Sequence, residues 1–179
     1  IISKKERKMS NFHHSDFIQV LAYIHQPKLY LELGLYEGET WNKVTPFCQR
    51  KIGVDTVDRG IQGEVHIETT DSFFSHFNEN IDMAFIDADH CFESAKKDFL
   101  NCYKILNDGG VIVMHDTDPM SNDLFSFDRC GDCYKIVDFL EKEFKDINIV
   151  TLPVAEAGLS IITKKQTTRT HLRNEKNLS

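Results

Sequence analysis

Apolar residues recur along the chain in two alternating registers, one suited to helices and the other to strands. Phe17, Ile18, Val20, Leu21 and Ile24 follow Ser15 and Asp16 at helical spacing; either polar residue can cap this helix, which ends before Pro27. Leu29 to Leu33 then has the length and character of a buried strand, and a short helix around Thr40 to Cys48 is limited by Pro46. Lys51 to Asp55 is a second strand ending in an acid. Glu64 to Thr69 alternates as a third, and Asp71-Ser72 opens a short helix carrying Phe73, Phe74 and Phe77.

The second half repeats the scheme. Ile81 to Ile86 is an apolar strand closed by Asp87-Ala88-Asp89-His90, and Ser94 to Leu106 is an amphipathic helix with Ala95, Phe99, Cys102, Tyr103 and Leu106 near one face. Asn107-Asp108-Gly109-Gly110 stops that helix and leads into Val111 to Met114, whose unbroken apolar run marks a central strand. A loop from Asp116 to Asp132 precedes a helix over Tyr134 to Phe144. The last two strands, Ile147 to Leu152 and Leu159 to Thr163, have no crossover helix between them and should form an antiparallel hairpin. This alternation predicts an α/β fold: a doubly wound, Rossmann-like sheet, mostly parallel, with the hairpin at one edge.

In such a sheet ligands bind at the carboxyl ends of the strands. Polar residues gather there: Glu32, Asp55, Asp71, Asp87, Asp89, His90, His115 and Asp116 each end or follow an apolar run. Acids closing five separate strands exceed what helix capping alone requires. The segment Glu32 to Thr40 adds a strand-to-helix turn with Gly34 and Gly38 four apart. That spacing is neither GxGxxG nor a phosphate loop, because no Lys follows the second glycine. An acid at the strand end suits a ligand carrying an amine rather than a pyrophosphate.

The resemblance becomes specific with four segments: Leu31 to Thr40, Ile52 to Asp55, Phe85 to His90 and Asn107 to Thr117. Over residues 15–163 the chain resembles the class I S-adenosylmethionine-dependent methyltransferases, and within them the small methyltransferase 24 type. The resemblance implies that Glu32 and the backbone at Gly34 lie near the methionine end of S-adenosyl-L-methionine, with Gly38 keeping the helix start thin enough for the cofactor to lie across it. It also implies that Asp55 meets the ribose hydroxyls, with Asp58 a competing acid in the following loop, and that Asp71 and Ser72 meet adenine.

Metal-dependent O-methyltransferases are similar in this region and carry a divalent cation, such as Mg²⁺, on an Asp after the fourth strand and an Asp-Asn pair after the fifth. Here Asp87, Asp116 and Thr117 match those positions, with Thr in place of the amide. His90 stands where those relatives have a proton-accepting Lys, so Asp87, His90 and Asp116 are the expected catalytic residues, Asp87 also facing the cofactor. His115 could orient Asp116, line the acceptor pocket or be a satisfied buried histidine. Pro119 to Phe127 should lie over the site, where Met120 and the two Phe side chains would form an apolar lid.

Composition narrows the partners. With 41% hydrophobic and 27% charged residues the chain reads as one globular domain over 13–164, between a short extension, 1–12, and a polar tail, 165–179. A net charge of −7 opposes nucleic-acid binding, no apolar run reaches the roughly 18–20 residues of a membrane span, and the basic start lacks the apolar core of a signal peptide. Five cysteines point to a reducing, cytoplasmic setting. Cys130 and Cys133 have CxxC spacing, without the further ligands of a zinc site or the context of a redox motif. The expected reaction is O-methylation of a small hydroxylated acceptor, by an enzyme whose relatives often pair as homodimers. The alternatives are a cofactor-binding module without catalysis and a methyltransferase for protein or nucleic acid.

Overall fold

A computed structural model describes residues 13–126, 128–154 and 157–165. The extension 1–12 and the polar tail, apart from residue 165, lie outside the described residues. The elements run α1 (His14–His25), β1 (Leu29–Leu33), α2 (Glu39–Val44), a 3-10 turn (Thr45–Phe47), β2 (Arg50–Asp55), β3 (Glu64–Ile67), α3 (Thr70–His76) and β4 (Ile81–Ile86). There follow α4 (Phe92–Ile105), β5 (Leu106–His115), a second 3-10 turn (Asn122–Phe125), α5 (Lys135–Glu143), β6 (Ile147–Leu152) and β7 (Leu159–Lys164).

Seven strands form one sheet in the order β3-β2-β1-β4-β5-β7-β6. The first five are parallel, while β7 runs antiparallel to both β5 and β6. The predicted hairpin is therefore present, with its second strand turned inward against β5. Strand order reverses between β1 and β4, so their carboxyl ends diverge and open a crevice.

Alternate residues of each inner strand face opposite layers. Leu31, Leu33, Ile52, Val54, Ile86 and Ile112 pack with Phe73, Phe99, Ile136 and Leu140 beneath α3, α4 and α5. Tyr30, Met83, Phe85 and Val113 pack with Ile18, Ala22 and Val44 beneath α1 and α2. Each large side chain so buried contributes about 1.5–3 kcal/mol, and a strand covered on both faces reads as an unbroken apolar run. Glu32 is the exception in β1. It shares the Tyr30 face and is 1% exposed.

Several boundaries differ from expectation. His13, not Ser15 or Asp16, is the N-cap of α1, and Asp16 closes the capping box three residues on. The helix expected over Thr40 to Cys48 is α up to Val44 and 3-10 beyond it, because Pro46 cannot supply the next helical N–H. The third strand stops at Ile67, and Thr69 becomes the cap of α3, its side chain accepting from the Ser72 N–H. Asn107 to Gly110 does not separate α4 from β5 but lies inside the strand: Ile81 pairs with Leu106, then Met83 with Val111, and the residues between bulge out. Asn107 donates to Asp82, whose other oxygen accepts from the backbone of Lys28 and Leu29, so the bulge is tied to the start of β1.

Candidate active site

A cavity of about 1080 Å³ lies along the carboxyl ends of β1, β2, β3, β4 and β5. Gly34 lines it with φ +83°, and a Cβ there would stand 2.0 Å from the Asp87 carbonyl oxygen. The glycine is thus required for the turn after β1 to lie against the turn after β4. Gly38 caps α2 at φ +75°, where a Cβ would meet the Ile61 side chain at 3.1 Å and that of Asn42 at 3.6 Å.

Glu32 reaches the cavity from beneath. The Tyr30 hydroxyl donates to its Oε2 at 2.6 Å, and burial lifts its carboxyl to about 8. Asp55 lines the cavity too, but its carboxylate also shapes the loops: Oδ2 accepts from the Leu35 and Tyr36 N–H groups, and Oδ1 from that of Val57. Asp58 accepts from the Gly60 N–H in its own turn and stays off the cavity wall. Asp71 lines the cavity while pairing with Lys97 at 3.1 Å, its side chain 64% exposed. Ser72 does not line it, and its hydroxyl donates to Glu68.

Across the Gly34 turn the structure brings together Asp87, His90 and Asp116, each offering one ligand-type atom within 4.8 Å of the other two. Asp116 takes a left-handed φ of +59° at the end of β5 and is 5% exposed. His90 Nε2 stands 3.4 Å from Asp116 Oδ2. His115 Nδ1 lies 3.1 Å from Asp116 Oδ1 and 3.3 Å from Asp87 Oδ1. Burial disfavours a charged His115, but the Asp87 and Asp116 carboxylates outweigh it and push the imidazole up to about 10. Reciprocally, His115 holds Asp87 below the usual carboxylate range against the opposing effect of burial.

Thr117 does not join this group. The left-handed turn at Asp116 sends it the other way, and its hydroxyl accepts from Ser160 of β7 at 2.9 Å. His14 was not expected in the site. Its ring packs 4.3 Å from that of His115, and burial pushes it down to about 4. A pair of histidines before an apolar run is the one sequence signal for it. Asp98 is the other residue missed: it is 2% exposed, lines the cavity, and belongs to the face of α4 that carries Ala95, Phe99 and Cys102. A lone acid on an apolar helix face is a readable signal.

The CxxC segment braces the site. The Asp132 N–H donates to the His90 carbonyl, and Asp132 Oδ1 accepts from the Phe92 N–H at 2.7 Å, capping α4. Cys133 Sγ donates to the Asp89 carbonyl, and the Cys130 thiol hydrogen-bonds to Asp116. Burial pushes the Cys130 thiol up to about 12 and raises Cys133 as well, so both stay protonated and unreactive. A Cβ at Gly131, φ +52°, would stand 2.1 Å from the His90 carbonyl oxygen. Gly131→Ala should therefore lower stability by about 2–4 kcal/mol, and differential scanning calorimetry should record a fall of roughly 5–10 °C. An unchanged melting temperature would show that the brace is loose.

The expected lid is only partly over the cavity. Leu124 is buried with Cys130 and Ala157 and lines the wall, whereas Met120 and Phe125 are exposed and do not. Position 127 lies outside the described residues.

The family model for a methyltransferase domain, methyltransferase 24, matches residues 34–117, from the Gly34 turn to the end of the Asp116 turn. A search of curated proteins finds no match. Among solved structures, an O-methyltransferase from Bacillus cereus in complex with SAH is similar at 18% identity, with 84% of this chain and 80% of that one covered and a TM-score of 0.67. An SAH-bound methyltransferase from Podospora anserina, PaMTH1, gives 17% identity, 86% and 78% coverage and a TM-score of 0.66. The O-methyltransferase TomG from Streptomyces achromogenes, in complex with SAM, gives 14%, 86% and 80%, and 0.62. These identities bear on the fold, which the neighbours share well beyond the segment the family model spans. The family match over residues 34–117 and the shared fold relate the chain to the class I S-adenosylmethionine-dependent methyltransferases, within them to the methyltransferase 24 type.

Proposed function

We propose that the domain over 13–164 transfers the methyl group of S-adenosylmethionine to an oxygen of a small hydroxylated molecule. The observation that carries this reading is the pairing, across one glycine turn, of a buried carboxyl suited to an ammonium with an Asp87–His90–Asp116 cluster suited to an acceptor hydroxyl. The net charge of −7 argues against an RNA or DNA acceptor. No helix among the described residues is long and apolar enough to cross a membrane. All five cysteines are free, which supports the cytoplasmic setting.

In this reading Glu32 faces the ammonium of the donor, Asp55 fixes the ribose, and the start of α3 lies beside the adenine. S-adenosylmethionine supplies an electrophilic methyl carbon on a sulfonium, whose displacement returns the bonding pair to sulfur. Asp116 holds the tautomer of His90 that carries its proton on Nε2, leaving the Nδ1 lone pair to take the acceptor's proton as its oxygen attacks. His115 neutralises the two aspartates and keeps them in place. In the same reading the acceptor sits between His90 and Leu124, which both line the cavity.

A second reading is favoured by the spacing within the same cluster. Asp87, His90 and Asp116 would hold a divalent ion, which when bound supplies the charge that lets an acceptor hydroxyl ionise. Two carboxylates and an imidazole fit such an ion, although an imidazole in the set suits Mg²⁺ less than an all-oxygen site does. The two readings exclude each other at His90, which cannot be both ligand and base.

One calorimetric and kinetic experiment tests the proposal. In the free protein Glu32 is protonated at pH 7, since its carboxyl is raised to about 8. An ammonium beside it favours the carboxylate, so binding SAH should release a proton and tighten up to about tenfold per pH unit from 6 to 8. SAH formation should then be seen with hydroxylated acceptors such as catechols. Loss of turnover in EDTA, restored by a divalent ion, selects the second reading. No heat with SAH at any pH, or no turnover with hydroxylated acceptors, rejects the proposal.

A further inference from the structure

We infer that the methyl acceptor carries a carboxylate and that Arg129 binds it, an inference that rests on the O-methyl transfer proposed above. Arg129 is exposed and lines the cavity. Among the described residues, no carboxylate or carbonyl pairs with its guanidinium. The other lysine and arginine of the wall are engaged. Lys97 pairs with Asp71 at 3.1 Å, and Arg59 lies over the Tyr36 ring, 5.0 Å from its centroid. His115 is enclosed between Asp87 and Asp116. An uncommitted cation on a cavity wall points to a ligand that brings the anion.

The brace that holds His90 also carries Arg129. The Arg129 N–H donates to the Ser126 carbonyl and the Cys130 N–H to that of Leu124, each at 3.0 Å. The next two residues close on His90: Gly131 lies against its carbonyl, and the Asp132 N–H donates to it. The guanidinium also stands near the reacting cluster. Burial and Asp116 raise the Cys130 thiol, and the Arg129 charge opposes that rise. One molecule can therefore offer its hydroxyl to His90 and its anionic group to Arg129, with the buried Leu124 and Ala157 as apolar wall.

A guanidinium presents paired N–H donors that match the two oxygens of a carboxylate. A chain of net charge −7 repels acidic molecules, so an acidic acceptor needs such a cation beside the cluster. Asp123 and Asp128 stay off the wall. Hydrogen bonds from the Ser121 and Ser126 side chains chiefly hold their carboxyls low, and the Arg129 charge adds to this from further away. These two acids favour a singly charged carboxylate over a phosphate dianion, which they would repel more strongly.

The test measures SAH formation by the full chain with protocatechuate and with its methyl ester, for wild type, Arg129→Gln and Arg129→Lys. Glucuronate and glucuronamide form a second acid and neutral pair, for an acceptor that is not aromatic. Wild type should favour the acid about tenfold or more in kcat/KM, chiefly through KM, and added salt should shrink the preference. Arg129→Gln should lose the preference while its rate with the neutral partner stays nearly unchanged, and Arg129→Lys should keep part of it. Equal losses with acid and neutral partner would show that Arg129 only steadies Cys130 and Asp116, and would overturn the inference. Equal wild-type values within both pairs would overturn it whether or not the variants fold. Turnover of no acceptor by wild type would remove the O-methylation reading, and this inference with it.

Discussion

Gly34→Ala should abolish SAH binding and lower the melting temperature by 10 °C or more, while Gly38→Ala spares SAH binding and lowers the melting temperature by only a few degrees, the cost of its left-handed backbone. The added Cβ at Gly34 would stand 2.0 Å from the Asp87 oxygen, 2.6 Å from its carbon and 2.8 Å from Ala88 Cα. All three are backbone atoms of the turn after β4, and none can rotate aside. A left-handed backbone adds roughly 1–2 kcal/mol to an overpacking cost of about 1–3 kcal/mol or more. Against a total stability of about 5–15 kcal/mol this is a large share. The turns would have to part where Gly34 N–H donates to Val54 and Asp87 N–H to Leu33, which is the floor of the donor site. At Gly38 the new atom meets the movable tip of Ile61, and only the φ of +75° opposes it. Thermal melts and SAH titrations of the two variants compare them directly. Comparable losses would mean that the glycines serve the ligand's approach rather than the join between the β1 and β4 turns.

The sheet was legible because its inner strands are covered on both faces, which leaves apolar runs such as Leu29 to Leu33 and Ile81 to Ile86 bounded by polar residues. The acids after those runs follow from the same physics: the polar residues lie where the strands end and water or ligand begins. What neighbours in sequence could not reveal was direction. Thr117 adjoins Asp116, yet the left-handed turn between them sends it to Ser160, 43 residues away. His90 takes the third position instead, through a brace much further along the chain at Gly131 and Asp132. Asn107 to Gly110 has the residues of a turn, but they bulge within a strand, which draws on the same chemistry as a helix stop. Sequence position marks Asp71 as a contact, whereas the orphaned oxygen of Asp98 is visible only once α4 lies against α3.

His90→Ala should reduce kcat by about 10²–10⁴-fold and leave SAH affinity within roughly threefold, the range a lost general base produces. The Glu32 carboxyl proposed to face the donor's ammonium is held by Tyr30 rather than by His90. A lost ligand or a lost brace could also lower kcat, so the replacement must vary in kind. His90→Gln keeps polarity and approximate size but cannot accept a proton, and should be as slow as His90→Ala. His90→Lys restores a base and should recover activity as pH rises, since its amine works only when deprotonated. A cation held by Asp87, His90 and Asp116 would reverse that order, because an amide oxygen can ligate whereas a protonated lysine repels. Initial rates for the four proteins from pH 6 to 10, each with EDTA and with added divalent ion, separate the two. Recovery in His90→Lys that ignores EDTA fixes His90 as the base. Recovery in His90→Gln on adding metal would assign the proton's removal to the ion and reduce His90 to one of its ligands.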